Sequence, residues 1–182
     1  AAAAATAARS AAEAKPLPAF LDAVAWDEPK RPKTAMAPLA DEFARAFQRS
    51  QWGVSGKVEP RFFADSFAFR DPDVSTKGLK EYASGTGTVL SNCRADVTEV
   101  LVTGPSTFVI KWRIEGTANV PVPGLRIKPY IVISTFTVNG DGLVDSETDA
   151  FSIPSWDILL SAVAPWLPFL APEEPSVQSP YA

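Results

Sequence analysis

The sequence predicts an α+β fold: a cone-shaped, curved antiparallel sheet packed on three N-terminal helices, with extended Pro-rich arms at the two ends. Three observations carry this expectation. Leu39, Phe43, Ala46 and Phe47 recur at helical spacing, with Asp41, Glu42, Arg45 and Arg49 opposite them. Phe108, Ile110, Trp112 and Ile114 alternate with Val109, Lys111, Arg113 and Glu115, the period of a half-buried strand. Asn139-Gly140-Asp141-Gly142 parts two further strand-like runs as a hairpin turn does.

In chain order, residues 1–35 read as an arm. Ala-rich sequence favours helix up to Ala14, and Pro16 and Pro18 break it. Phe20, Leu21, Val24 and Trp26 form an apolar cluster before DEPKRPK, where Pro29 and Pro32 interrupt any regular element. The domain, taken as residues 36–163, opens with a helix over Met36–Gln51. Pro60 suits the first turn of a short helix over Arg61–Asp65. Phe67 and Phe69 alternate like a strand, and Asp71-Pro72-Asp73 turns the chain. Thr76–Ser91 reads as a third helix, weakened by Gly85-Thr86-Gly87.

Four strands are expected next, over Ala95–Thr103, Thr107–Gly116, Tyr130–Val138 and Leu143–Phe151, with a long loop before Tyr130. Ser155 is positioned to cap a helix whose apolar face is Trp156, Leu159, Leu160 and Val163. Residues 164–182 form a Pro-rich tail, apolar first and then acidic.

Composition narrows the chemistry. The net charge of −4 argues against a nucleic-acid binder. Every Lys and Arg lies at or before Lys128; the chain after it is acidic by seven and the chain up to it basic by three. The sequence has no His, the usual general base and metal ligand. Cys93 stands alone, so neither an intrachain disulfide nor a zinc site of the usual Cys/His type is expected. Carboxylates, Tyr and Lys remain for acid–base work. No apolar run is long enough to span a bilayer, so contact with a membrane is expected to be peripheral at most. The Ala-rich start with Arg9 and Ser10 is compatible with an organelle targeting or processing region.

The stretch FFADSFAFRDP…KGLKEY resembles the nuclear transport factor 2-like superfamily, which includes the SnoaL-like polyketide cyclases. The matching residues are Phe63, Asp65, Phe67, Phe69, Asp71, Pro72 and Gly78. Gly104-Pro105, Trp112, Asp149 and Trp156 are similar to a plastid and cyanobacterial family of unknown function within it. The resemblance spans roughly Pro38 to Trp156 and implies a fold that hosts enzymes, carriers and adaptors alike. Enzymes of the superfamily commonly pair an Asp with His or Tyr inside the cone. Here Asp65 and Asp71 are the acids near the expected pocket, with Tyr82 and Tyr130 as partners, although turn and helix-end roles fit both acids equally.

Asp145, Glu147 and Asp149 share one face of the last strand; three carboxylates at this period could hold a hard cation, but with no EF-hand pattern the expected role is its solvated or partner-facing side. Phe43, Phe47, Phe69, Trp112 and Tyr130 form a candidate apolar pocket, or plain core. Phe20, Leu21, Trp26, Trp166, Leu167, Phe169 and Leu170 are expected to dock the domain on a partner protein. The sequence therefore predicts a non-enzymatic accessory subunit, without cofactor, metal or catalytic residues. The resemblance implies a place in a plastid assembly, peripheral to the thylakoid at a photosynthetic complex, with stroma and lumen both open. The alternative is a carrier of a small apolar ligand or a cofactor-free isomerase or cyclase.

Overall fold

The structure, a computed structural model, describes residues 16–119 and 123–182. The Ala-rich stretch up to Ala14 and residues 120–122 of the expected loop lie outside it.

Helix α1 (Met36–Ser50) follows the helical spacing and buries Leu39, Phe43, Ala46 and Phe47. It ends where Gln51 turns left-handed, at φ 57°. The Gln51 side chain then works on the sheet: its amide nitrogen donates to the Ala95 carbonyl and its oxygen accepts from the Ala95 N–H. Gln48 accepts from the Val97 N–H. These bonds satisfy backbone groups along the sheet's outermost strand, which would otherwise be unpaired under a helix. A short helix α2 (Trp52–Ser55) and a 3₁₀ turn (Pro60–Phe62) follow. The helix expected over Arg61–Asp65 is only that turn; the chain is already extended at Phe63, and Asp65 lies in a strand.

Among the described residues six strands form one open sheet: β1 (Phe63–Arg70), β2 (Ser75–Lys77), β3 (Leu90–Gly104), β4 (Thr107–Ala118), β5 (Leu125–Val138) and β6 (Val144–Phe151), in the order β2-β1-β6-β5-β4-β3. The sheet is mixed, because β1 runs parallel to β6. The expected third helix splits: Ser75–Lys77 pairs with β1, and helix α3 (Leu79–Val89) begins after Gly78, whose φ of 91° suits glycine. The expected loop before Tyr130 is shorter than read, since β5 already starts at Leu125.

The core joins α1 to the concave side of the sheet. The Phe43 ring lies 4.8 Å from Trp52, 5.2 Å from Phe108 and 4.7 Å from Phe136, centroid to centroid. Trp112 is buried on this face, and its indole N–H donates to the Ser134 hydroxyl at 2.9 Å.

Residues 16–35 of the segment read as an N-terminal arm are built into the domain. Leu21 is fully buried and Val24 nearly so. The Phe20 ring sits so close to α3 that a Cβ on Gly87 would come within 2.3 Å of it, which explains glycine at that helical position. The Arg31 N–H donates to the Arg61 carbonyl and its guanidinium to Glu42. Lys80 stands over the Trp26 ring. Phe20, Leu21 and Trp26 are thus packed against their own domain, and Leu21 has no surface left for a partner. Deleting residues 1–35 should unfold the domain rather than release it.

Helix α4 (Ser155–Val163) inverts the expected orientation. Asp157 and Ser161 are its buried residues, whereas Trp156, Leu159 and Val163 are more than half exposed. The N-cap residue is Pro154 rather than Ser155, and there is no side-chain capping bond. The cause is a buried clasp. Lys128 and Asp157 form an ion pair, Lys128 Nζ donates to the Ala171 carbonyl at 2.7 Å, and the Ala171 N–H donates to Asp157 at 2.8 Å. Burying Lys128 requires that partner, so the acidic side of α4 turns inward. Farther along the tail, Glu174 N–H bonds the Pro129 carbonyl and Glu173 pairs with Arg126. Lys128→Ala should leave Asp157 buried and unpaired and cost about 1–3 kcal/mol. The check is a urea melt, with loss of protection of the Ala171 amide in hydrogen exchange.

Candidate acid–base site in the cone

An apolar cavity of about 250 Å³ opens between α3 and the concave side of the sheet. Phe69, Val74, Val89, Leu90, Ile114, Val132 and Phe151 supply its apolar wall, and Tyr82, Trp112 and Tyr130 its aromatic polar groups. Gly85 lies on the wall of α3, so glycine there leaves room. Asp71 and Asp149 are its acids, and no Lys or Arg is among its described lining residues.

Behind Asp149 stands Glu147, on the same inward face of β6 and 1% exposed. Both Glu147 oxygens and Asp149 Oδ1 are buried without a hydrogen-bond partner of normal geometry. The Tyr82 and Ser134 hydroxyls lie close enough to favour the charged form of Glu147, but they do not outweigh burial and the neighbouring Asp149. The Glu147 carboxyl is held well above the usual range. Burial, and to a lesser extent the Asp71 charge, pushes Asp149 up to about 7, against the pull of Ser134. Two carboxyls this close in an apolar wall do not readily ionise together, so the pair retains a proton near neutrality. Burial also raises the Tyr82 and Tyr130 phenols, with Glu147 and Asp149 as further causes for the first and Asp149 for the second. Both therefore remain hydrogen-bond donors.

A bulge puts the carboxyls inside. Val138 pairs with Val144, but Thr137 pairs with Ser146, so Asp145 is an extra residue. An unbroken register from Val138–Val144 would face Ser146, Thr148 and Ala150 inward and the three acids outward. Inserting one residue reverses the phase. Glu147 then lies opposite Phe136, and Asp149 opposite Ser134. Asp145 remains on the rim, taking a hydrogen bond from Ser66. The solvated-face expectation for Glu147 and Asp149 is thus corrected, and the cause is the bulge.

The other expected site residues separate cleanly. Phe69, Trp112 and Tyr130 line the cavity, whereas Phe43 and Phe47 are sealed in the core. Asp71 lines the cavity and also caps its turn, accepting from the Asp73 and Val74 amides at 2.8 and 2.6 Å. The Asp65 side chain is 95% exposed and bridges to Lys30, away from the cavity. Trp166 and Phe169 are exposed, and Leu167 and Leu170 partly so.

No family model matches the sequence, and no curated protein sequence matches it significantly. Solved structures do. A putative SnoaL-like polyketide cyclase from Jannaschia sp. CCS1 aligns with a TM-score of 0.55 at 15% identity, over 70% of this chain and 94% of that one. A putative polyketide cyclase from Acidithiobacillus ferrooxidans aligns equally well, at 0.55 and 14% identity over 71% and 98% of the chains. The chain has the SnoaL-like, nuclear transport factor 2-like fold. An epoxide hydrolase/cyclase-like enzyme of pyran ring formation in the polyether salinomycin also aligns, at 0.50 and 16% identity over 65% and 94% of the chains. Identities this low carry the architecture alone, so the chemistry of this SnoaL-like cone rests on its own residues.

Proposed function

We propose that this chain is a cofactor-free acid–base catalyst, an isomerase or cyclase acting on a small apolar molecule with a carbonyl or hydroxyl group. The observation that carries this reading is the Glu147–Asp149 pair, buried behind an apolar cavity with three oxygens unpartnered. A group whose proton is in balance near neutral pH is suited to take and return protons. Asp149 reaches the cavity and is the transferring group; Glu147 behind it is a positioning residue that sets its basicity. The Asp149 carboxylate takes a proton from the carbon next to the ligand's carbonyl. The electron pair moves onto the carbonyl oxygen, where Tyr130 or Tyr82 donates a hydrogen bond. Returning the proton to another carbon completes an isomerisation; attack of the enolate carbon on a second carbonyl carbon closes a ring, that carbonyl's π pair moving to its oxygen, which takes the proton back from Asp149.

The test is hydrogen exchange at carbon in D₂O with a panel of apolar ketones such as 2-tetralone. The wild type should accelerate α-deuteration, and Asp149→Asn should lower that rate by about 10²-fold or more. Equal exchange rates in the two proteins would remove the catalytic reading.

The outer face of α4 favours a second reading. Trp156, Leu159, Val163, Trp166 and Phe169 are exposed apolar residues near one another in the chain. Exposed apolar surface usually marks a contact site. Here the chain is an accessory subunit of a plastid assembly, docked through Trp166 and Phe169 at a photosynthetic complex and peripheral to the thylakoid. Its support is that exposure, together with the resemblance read in the sequence at Gly104-Pro105, Trp112, Asp149 and Trp156. A Trp166→Ser/Phe169→Ser protein should keep its melting temperature and leave the thylakoid fraction. Retention at full occupancy counts against this role.

A further inference from the structure

A second hollow adjoins the cone. It encloses about 210 Å³ between the start of β5 and the inward-leaning edge of α4. Leu125, Ile127, Ile158, Leu159 and Ala162 give it an apolar wall. Val89, Leu90, Tyr130 and Phe151 line this hollow and the cone alike, so the two are neighbours parted by these shared side chains. Its margins leave apolar groups in water: Val74 at the cone is 52% exposed, Val89 between the hollows 40%, and Leu159 on α4 54%. Apolar side chains flanking a concave path gain by being covered, and a slender molecule running along the path would cover all three.

The two ends differ in chemistry. The inner end holds Asp71 and Asp149, with no Lys or Arg among its described lining residues. An anionic head there would face carboxyls with no counter-charge. At the outer end Asp73 and Arg126 lie on the wall, and Arg126 is already taken by Glu173.

We propose that the ligand of this chain is an elongated neutral amphiphile, its oxygen-bearing head beside Asp149 and its hydrocarbon tail in the hollow under α4. The proposal rests on the acid–base reading for the position of the head, and on the shared wall of the two adjoining cavities for the tail. It names the substrate class that the acid–base reading leaves open.

The test measures binding of 4-methyl-, 4-butyl- and 4-octylphenol by titration calorimetry. If the tail is buried, affinity should climb by roughly three- to fourfold per added methylene until the hollow is full. Ala162→Trp fills the hollow and Leu159→Asp charges its edge. Each should collapse the octyl-to-methyl affinity ratio toward one, and agreement between them separates blocking from a local fold defect. Octanoate at pH 8 should bind at least tenfold more weakly than 1-octanol. A ratio near one in the wild type, or a ratio unchanged in both variants, overturns the tail site. Octanoate or octylamine binding more tightly than 1-octanol overturns the neutral head. If the chain-length series behaves as expected while ketone exchange shows no dependence on Asp149, the tail site stands and the catalytic reading alone falls.

Discussion

Phe43→Ala should destabilise the protein by about 3–5 kcal/mol, the usual cost of truncating a fully buried aromatic ring. The ring is completely buried and touches five others: Trp52, Phe62, Phe63, Phe108 and Phe136. Those partners come from α2, the 3₁₀ turn and strands β1, β4 and β5, so one side chain ties the helical layer to three parts of the sheet. They close around it from several directions, and the space left by truncation collapses poorly. Chemical denaturation should show the lower midpoint with an unchanged slope. A loss below about 1 kcal/mol would place the core elsewhere.

Glu147→Gln should have the second large effect, of opposite sign. In the folded protein the carboxyl pair keeps a proton that the unfolded chain gives up in the ordinary carboxyl range. The folded state therefore binds more protons between about pH 4 and the Asp149 value of about 7, and stability falls as pH rises across that window. Below the window the buried Glu147 is neutral, and an amide of the same shape changes little. Above it, removing one buried carboxyl should stabilise the fold by about 1–3 kcal/mol. Melting temperatures of the two proteins should coincide near pH 4 and diverge by pH 8, with the variant higher. Parallel curves across this range would mean that Glu147 is not buried as a strained acid. The same substitution should slow ketone exchange, so stability and activity would be opposed at this position.

The broad architecture is legible in the sequence because its signals are local. The spacing of Leu39, Phe43 and Phe47 marks α1, the alternation around Trp112 marks β4, and Asn139-Gly140 marks the hairpin. The site is not local. Whether Glu147 faces water or the cone depends on one bulge residue, Asp145, and the strand's own alternation looks the same either way. The inversion of α4 has the same kind of cause. Its Trp156, Leu159 and Val163 stripe predicts an apolar inner face, but the inward side is set by Lys128, some thirty residues earlier, which needs Asp157. The segment from Phe20 to Arg31 reads as a strap on composition, yet Phe20 packs on α3 and Arg31 is held by Arg61 and Glu42. In each case a long-range partner decides a choice that the local pattern leaves open.

The Glu147–Asp149 pair keeps a proton at physiological pH inside an apolar cone. Difference infrared spectroscopy of the wild type against Glu147→Gln, followed from pH 4 to pH 9, reads it directly. A protonated-carboxyl band should persist at pH 6, lose its Asp149 component with a midpoint near 7, and be weaker in the variant, which lacks Glu147. A wild-type spectrum with every carboxyl ionised by pH 5 would contradict it.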